Sequence, residues 1–332
     1  MQYLSELTRC NLCEWRCGTN RLEGEHGVCR AGMPHIAYTM LSKTLHSYAV
    51  TMLGCSFRCI YCNAYRISQY PDANWFYRGY VAPDALAAEA MSKMLPDTDK
   101  ISFTGGEPTI NMPYIEEVVR EMRERYPDIG VGIATNGFCT PKTLRRVADI
   151  STSISYEIKA YDDDVHRMLT GAPSGPVLRN ARSLAEVARD EIRVFRTVVI
   201  PGITEHQITK IASFIADLDP SIPYRLIGFR PNFILYYHPG PGQDMMEDLT
   251  EQCRGIGLTD VAWSGYYPQG VPASTSSGES GGGGDDEGSD GEAEVAAQYL
   301  RRAGCSKDPR SCGDCELVDR CPACLLEPWG QR

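Results

Sequence analysis

The stretch AVTMLGCSFRCIYC (residues 49–62) runs an apolar strand-like segment into Gly54 and then into three cysteines spaced Cys-x3-Cys-x2-Cys. Its first half carries the side chains of a buried strand, stopped by a glycine. Five further runs of this kind follow, at 100–105 (KISFTG), 129–137 (IGVGIATNG), 151–159 (STSISYEIK), 192–200 (IRVFRTVVI) and 223–229 (PYRLIGF). Segments of helical period lie between them. Ile115, Val118, Val119 and Met122 recur at i, i+3, i+4 and i+7, and Ile208, Ile211, Ala212, Ile215 and Leu218 repeat the pattern. Several runs are apolar almost throughout, as a parallel sheet covered on both faces requires. Strand and helix alternating six times predict right-handed crossovers and an α/β class, as a sheet or a partial barrel. In such folds ligands sit at the carboxyl ends of the strands.

Two motifs fall at those ends. Cys55, Cys59 and Cys62 are close enough in sequence to hold three corners of a 4Fe-4S cubane and leave the fourth iron open. A structural zinc site wants four ligands, and no fourth cysteine is adjacent. After the next strand comes Thr104-Gly105-Gly106-Glu107-Pro108. Its glycines let backbone approach a ligand, and its carboxylate can accept from an ammonium group.

Together these motifs resemble the radical S-adenosylmethionine (SAM) superfamily. The resemblance implies a partial (β/α)6 TIM-like barrel. It also implies reductive cleavage of SAM to methionine and a 5′-deoxyadenosyl radical that abstracts hydrogen from a substrate. By the resemblance SAM chelates the open iron, Gly105, Gly106, Glu107 and Pro108 join its binding site, and Tyr61 packs on the adenine; Asn136, followed by Gly137, either contacts the ligand or makes a turn. Glu157-Ile-Lys159, Asp162 to His166-Arg167, Leu169-Thr170-Gly171 and Arg196-Thr-Val-Val-Ile-Pro201-Gly202 are similar to segments of pyruvate formate-lyase activating enzymes. By that similarity Glu157, Lys159 and Arg196 face SAM or the substrate. Arg196 is the better candidate for a carboxylate, because its planar fork binds one bidentately. The sixth strand departs from the activating enzymes. Where they resemble Leu-Leu-Pro-Tyr-His, this chain has Gly228-Phe229-Arg230-Pro231-Asn232-Phe233. That end usually helps receive the substrate, so Arg230 joins Lys159 and Arg196 as a candidate catalytic residue.

The chain has 332 residues and 14 Cys. Twelve cysteines fall in three groups, which in a reducing compartment points to metal ligands. Ahead of the barrel, Cys10, Cys13, Cys17 and Cys29 form a four-thiolate knuckle resembling the leader of AmmeMemoRadiSam-type radical proteins. It suits a structural zinc, a rubredoxin-like iron or an auxiliary Fe-S cluster. In the tail, Cys312, Cys315, Cys321 and Cys324 are spaced similarly to the cluster-binding SPASM-type extensions of peptide-modifying members, or close a zinc ribbon. Residues 274–294, STSSGESGGGGDDEGSDGEAE, hold seven acids and no base, which predicts a flexible acidic linker. The expected organisation is a Cys-rich extension at 1–44, the barrel at 45–270, the linker at 271–298 and a Cys-rich tail at 299–332.

The net charge is −10, of which the linker segment carries 7. That balance argues against a nucleic-acid-backbone binder, which would need a basic stripe. No run reaches the roughly 18 apolar residues of a membrane span, and the N-terminus lacks a signal-peptide core, so the protein is expected to be cytoplasmic. Three functions compete. The first is an activating-enzyme-like, anaerobic modification of a protein or peptide, fed by flavodoxin or ferredoxin. The second is a cobalamin-dependent radical SAM C-methyltransferase. Only 54 residues precede Cys55, too few for the usual cobalamin domain of on the order of 100 residues. The third is a non-catalytic zinc scaffold.

Overall fold

Parallel strands added in chain order frame the protein. The computed structural model describes residues 2–43, 45–73 and 77–266, and among them nine strands make one sheet. β1 (His35–Ser42) and β2 (Ser47–Met52) form an antiparallel hairpin, and β3 (Gly79–Tyr80) pairs the outer edge of β1. From β2 the sheet continues in parallel through β4 (Lys100–Gly105), β5 (Gly130–Thr135), β6 (Ser153–Glu157), β7 (Ile192–Val199), β8 (Tyr224–Gly228) and β9 (Val261–Ser264). From β2 to β9 the parallel order never reverses, so there is no switch point along it. This is the winding of a β/α barrel, left partial because β3 and β9 close the order without pairing each other.

The helices are α1 (Tyr65–Gln69), α2 (Pro83–Lys93), α3 (Met112–Arg123), α4 (Pro141–Ile150), α5 (Asp163–Thr170), α6 (Gly175–Val187), α7 (Glu205–Leu218) and α8 (Gln243–Ile256). Proline at the start of α2, α3 and α4 suits a first turn whose N–H has no helical partner. The periodic residues of α3 and α7 face the core: Ile115, Val118, Val119 and Met122, then Ile208, Ile211, Ala212 and Ile215, are all buried. Across the sheet Val50, Phe103, Ile133, Ile154 and Ile192 stand in register and form one apolar rung. Each such buried side chain contributes about 1.5–3 kcal/mol. No helix among the described residues is long and apolar enough to cross a membrane.

The six expected strands are present, and β1, β3 and β9 add to them. β3 and β9 are too short to show a period, and β1 lies within the cysteine-rich leader. The boundary expected at 44/45 therefore falls inside the β1–β2 hairpin. Leu4, Leu7 and Leu12 share one core with Ile101 and Ile115, so the leader packs as part of the barrel unit. The expected linker at 271–298 and tail cysteines Cys312, Cys315, Cys321 and Cys324 lie outside the described residues.

The leader is fastened to the carboxyl ends of the first three parallel strands. Trp15 Nε1 donates to Ser56 O at 2.7 Å, and Thr140 N donates to Leu12 O at 3.0 Å. Arg21, 2% exposed, donates to Gly32 O, Ile110 O and Asn111 Oδ1, and its Nη1 lies 3.8 Å from Cys10 Sγ. Close backbone packing joins β2 to the turn after β4. A Cβ on Gly106 would lie 1.9 Å from Gly54 O, and one on Gly105, at φ +115°, 2.4 Å from Met52 O. Gly106→Ala is expected to cost about 2–3 kcal/mol by overpacking. That is a fall of roughly 4–12 °C in Tm, measured by thermal unfolding.

Candidate active site

The cysteine triplet, the Gly-Gly-Glu-Pro turn, Asn136, Glu157 with Lys159, and Arg230 lie at or just beyond the carboxyl ends of β2, β4, β5, β6 and β8, and Arg196 lies within β7. The segment carrying Cys55, Cys59 and Cys62 leaves β2 through Gly54, whose φ of +81° a side chain would strain. Its two flanks are pinned by backbone hydrogen bonds. Glu107 N donates to Gly54 O at 2.8 Å and Gly106 N to Met52 O at 3.0 Å, joining it to the Gly-Gly-Glu turn. On the far side Arg58 N donates to Thr170 O at 2.8 Å and Ile60 N to Leu169 O at 3.0 Å. Phe57 packs edge-on to buried His166, with ring centroids 5.2 Å apart. The Leu169-Thr170-Gly171 segment is thus the helix end that carries the cysteine loop.

Cys55 and Cys59 are buried and Cys62 half-buried. Polar groups approach two of the sulfurs. Phe57 N lies 3.4 Å and Asn136 Nδ2 3.6 Å from Cys55 Sγ, and Ser68 Oγ lies 3.2 Å from Cys62 Sγ. Burial pushes all three thiols up, Cys59 to about 12, so loading a metal must release their protons. Among the described residues no three Cys, His, Asp or Glu side chains already stand at coordinating geometry. The donor set itself fits iron and sulfur, being three thiols in one eight-residue loop.

Glu107, 1% exposed, is held entirely by its own chain. Oε1 accepts from Thr109 N, Thr109 Oγ1 and Thr135 Oγ1 at 3.1, 2.7 and 2.7 Å, and Oε2 from Asn136 N at 2.7 Å. Burial raises its carboxyl above the ordinary value, against the pull of these donors. The carboxylate is therefore a lock between the turn after β4 and the end of β5. Pro108, also buried, opens the short 3-10 turn Pro108–Asn111 that Glu107 caps.

Across the mouth stands a charged group. Lys159 Nζ lies 2.9 Å from Glu157 Oε2 and 5.7 Å from the centre of the Tyr61 ring. Arg196 is in register with Glu157 on the neighbouring strand. Burial opposes the Glu157 charge, but Lys159 and Arg196 outweigh it and hold the carboxyl below its usual value. Burial likewise opposes the Lys159 charge, and Glu157 more than restores it. Two buried polar atoms here lack a partner within the protein, the Tyr61 hydroxyl and Arg196 Nε. They are what a polar ligand would satisfy. Arg230, half-buried, follows β8 two residues beyond its end, and its carbonyl accepts from Asn232 Nδ2 at 2.6 Å.

The structure thus gathers Cys55, Cys59, Cys62, Glu107 and Asn136 on one side and Tyr61, Glu157 and Lys159, with Arg196, on the other. Sequence reasoning missed Thr109, Thr135 and Ser56, ordinary residues whose partners are fixed only by folding. The sequence pattern of the Radical SAM superfamily matches residues 50–215. The pyruvate formate-lyase-activating enzyme of Staphylococcus epidermidis is 27% identical over 201 residues, 54% of this chain and 75% of that protein. That of Staphylococcus aureus is 25% identical over 202 residues, with the same shares. Among solved structures, a domain of the pyruvate-formate lyase-activating enzyme from Bacteroides vulgatus matches with TM-score 0.43 and 20% identity, covering 50% of this chain and 99% of that one. Streptococcus suis SuiB bound to precursor peptide SuiA matches with TM-score 0.49 and 16% identity, covering 65% and 47%.

The Glu157 charge has a sign that can be tested. Its depressed folded pKa gives stability that is present above the ordinary carboxyl range and lost as pH falls through the folded value. Lys159→Met is expected to raise that pKa. The acid limb of Tm against pH, followed over roughly pH 3–7, then moves to higher pH.

Proposed function

The chain belongs to the radical SAM superfamily, and on that premise we propose that it modifies a protein or peptide, with Cys55, Cys59 and Cys62 holding a 4Fe-4S cluster. The observation that carries this is the hydrogen-bonded union of the thiol loop with the Gly-Gly-Glu turn, opposite the unpartnered Tyr61 hydroxyl and Arg196 Nε. Cys55, Cys59 and Cys62 would hold the cluster, which would supply the electron for reductive cleavage of SAM and so the means of abstracting hydrogen from the substrate.

The protein's own residues bind and orient. Gly105 and Gly106 offer backbone to the amino group of SAM, and Arg196 and Lys159 face its carboxylate. Tyr61, lodged between Phe229 and Lys159, packs on the adenine and keeps water from it. The curated relatives are named for acting on a protein, pyruvate formate-lyase. A protein or peptide substrate also suits the rim after β8, where Ile234, Tyr236 and Tyr237 are exposed, the last at 94%. Arg230 stands on the same segment, between the end of β8 and those residues in sequence.

Replacing any one of Cys55, Cys59 or Cys62 by Ala is expected to abolish 5′-deoxyadenosine formation after anaerobic reconstitution with flavodoxin or dithionite as donor. Full cleavage in such a variant would sink the assignment. Cobalamin retained through purification would replace the activating-enzyme reading with a methyltransferase.

We also propose that Cys10, Cys13, Cys17 and Cys29 close on one zinc or iron. The support is Arg21, a buried guanidinium that donates to the neutral carbonyl groups of Gly32, Ile110 and Asn111 and lies 3.8 Å from Cys10 Sγ. A tetrathiolate around a divalent ion carries net negative charge, which would compensate it. A variant lacking the Cys55, Cys59 and Cys62 thiols is expected to keep this metal, and one lacking the four leader thiols to lose it. Unchanged metal content in the latter refutes the site.

A further inference from the structure

Asn136 follows β5 directly and is 6% exposed. Its backbone N–H donates to Glu107 Oε2 at 2.7 Å, and its side-chain Oδ1 accepts from Phe138 N at 3.0 Å. The second bond settles which way the amide faces, because a flipped amide would set its NH2 against the Phe138 N–H. Nδ2 is therefore turned to the cysteine loop, 3.6 Å from Cys55 Sγ and 3.1 Å from Ser56 Oγ. Among the described residues Phe57 N, at 3.4 Å, is the other donor to this sulfur, and it belongs to the loop itself. Asn136 brings in a side-chain donor from a different strand.

We infer that Asn136 is a positioning residue that tunes the reduction potential of the cluster, through the hydrogen bond its amide donates to the Cys55 sulfur. The inference rests on the proposed ligation by Cys55, Cys59 and Cys62. A donor on a ligand sulfur draws charge from it and favours the reduced, more negative state of the cluster, which raises the potential. One residue thereby couples the electronic and mechanical parts of the site. Its backbone holds the Glu107 lock, and its side chain touches the ligand.

The test is an EPR-monitored redox titration of the reconstituted full-length chain with dithionite as reductant. Asn136→Ala removes the donor and keeps the backbone bond to Glu107, so the midpoint potential is expected to become more negative. Asn136→Asp keeps an oxygen for Phe138 N and sets a carboxylate beside the sulfur, so the shift is expected to be larger in the same direction. Equal potentials in all three proteins, at matched iron content and Tm, overturn the inference.

Should both variants lose iron, Ser56→Ala decides. It removes the competing acceptor, leaves the amide to Cys55 alone and is expected to move the potential upward; an unmoved potential again overturns the inference. Failure of the underlying ligation would look different, as absence of any cluster signal in the unaltered protein. A cluster that forms and cleaves SAM but ignores Asn136 refutes this inference alone.

Discussion

Burying a carboxylate costs several kcal/mol unless donors replace the water it loses. Glu107 meets that requirement with Thr109 from its own turn and with Thr135 and Asn136 from the end of the next strand. Satisfying it clamps the ends of β4 and β5 together at fixed spacing. The backbone of Gly105 and Gly106 then lies directly on Met52 and Gly54, a contact that tolerates no Cβ. Since Gly54 leads into Cys55, the position of the first thiol depends on a carboxylate 52 residues downstream.

The mouth is divided by chemistry as well as by position. On the side of Glu107 the polar groups are spent on one another, which makes a rigid seat for the thiols. Toward β6 and β7 the charges of Glu157, Lys159 and Arg196 balance while leaving donor atoms unmatched, which is the condition of a surface prepared for a ligand. The leader adds a third element. Arg21 reaches the residues just beyond Glu107 and Pro108, so its fold and the seat of the thiols are mechanically one.

Much of this was legible in the chain. Apolar runs gave the six central strands because a strand buried on both faces has to be apolar along its length, and helical period gave the core faces of α3 and α7. β3 and β9 were illegible because two to four residues hold no period. β1 was hidden by its place within the cysteine-rich leader, where metal spacing was the stronger signal. At the site, the cysteines and the Gly-Gly-Glu-Pro turn announced themselves by spacing. The part played by the Glu107 side chain did not, because a carboxylate beside two glycines suits a ligand and a buried lock equally well until its donors are placed.

Local sequence alone therefore determined the class of chemistry. Three thiols within eight residues and glycines at a strand end are short-range facts, set by covalent spacing and backbone freedom. Tertiary structure decided what each polar side chain is for. Glu107 and Thr135 are 28 residues apart, Glu157 and Arg196 are 39 apart, and Cys55 and Asn136 are 81 apart. Only the parallel register of the strands brings such pairs within hydrogen-bond or charge range, because hydrogen bonds act over about 3 Å and carry no memory of sequence distance.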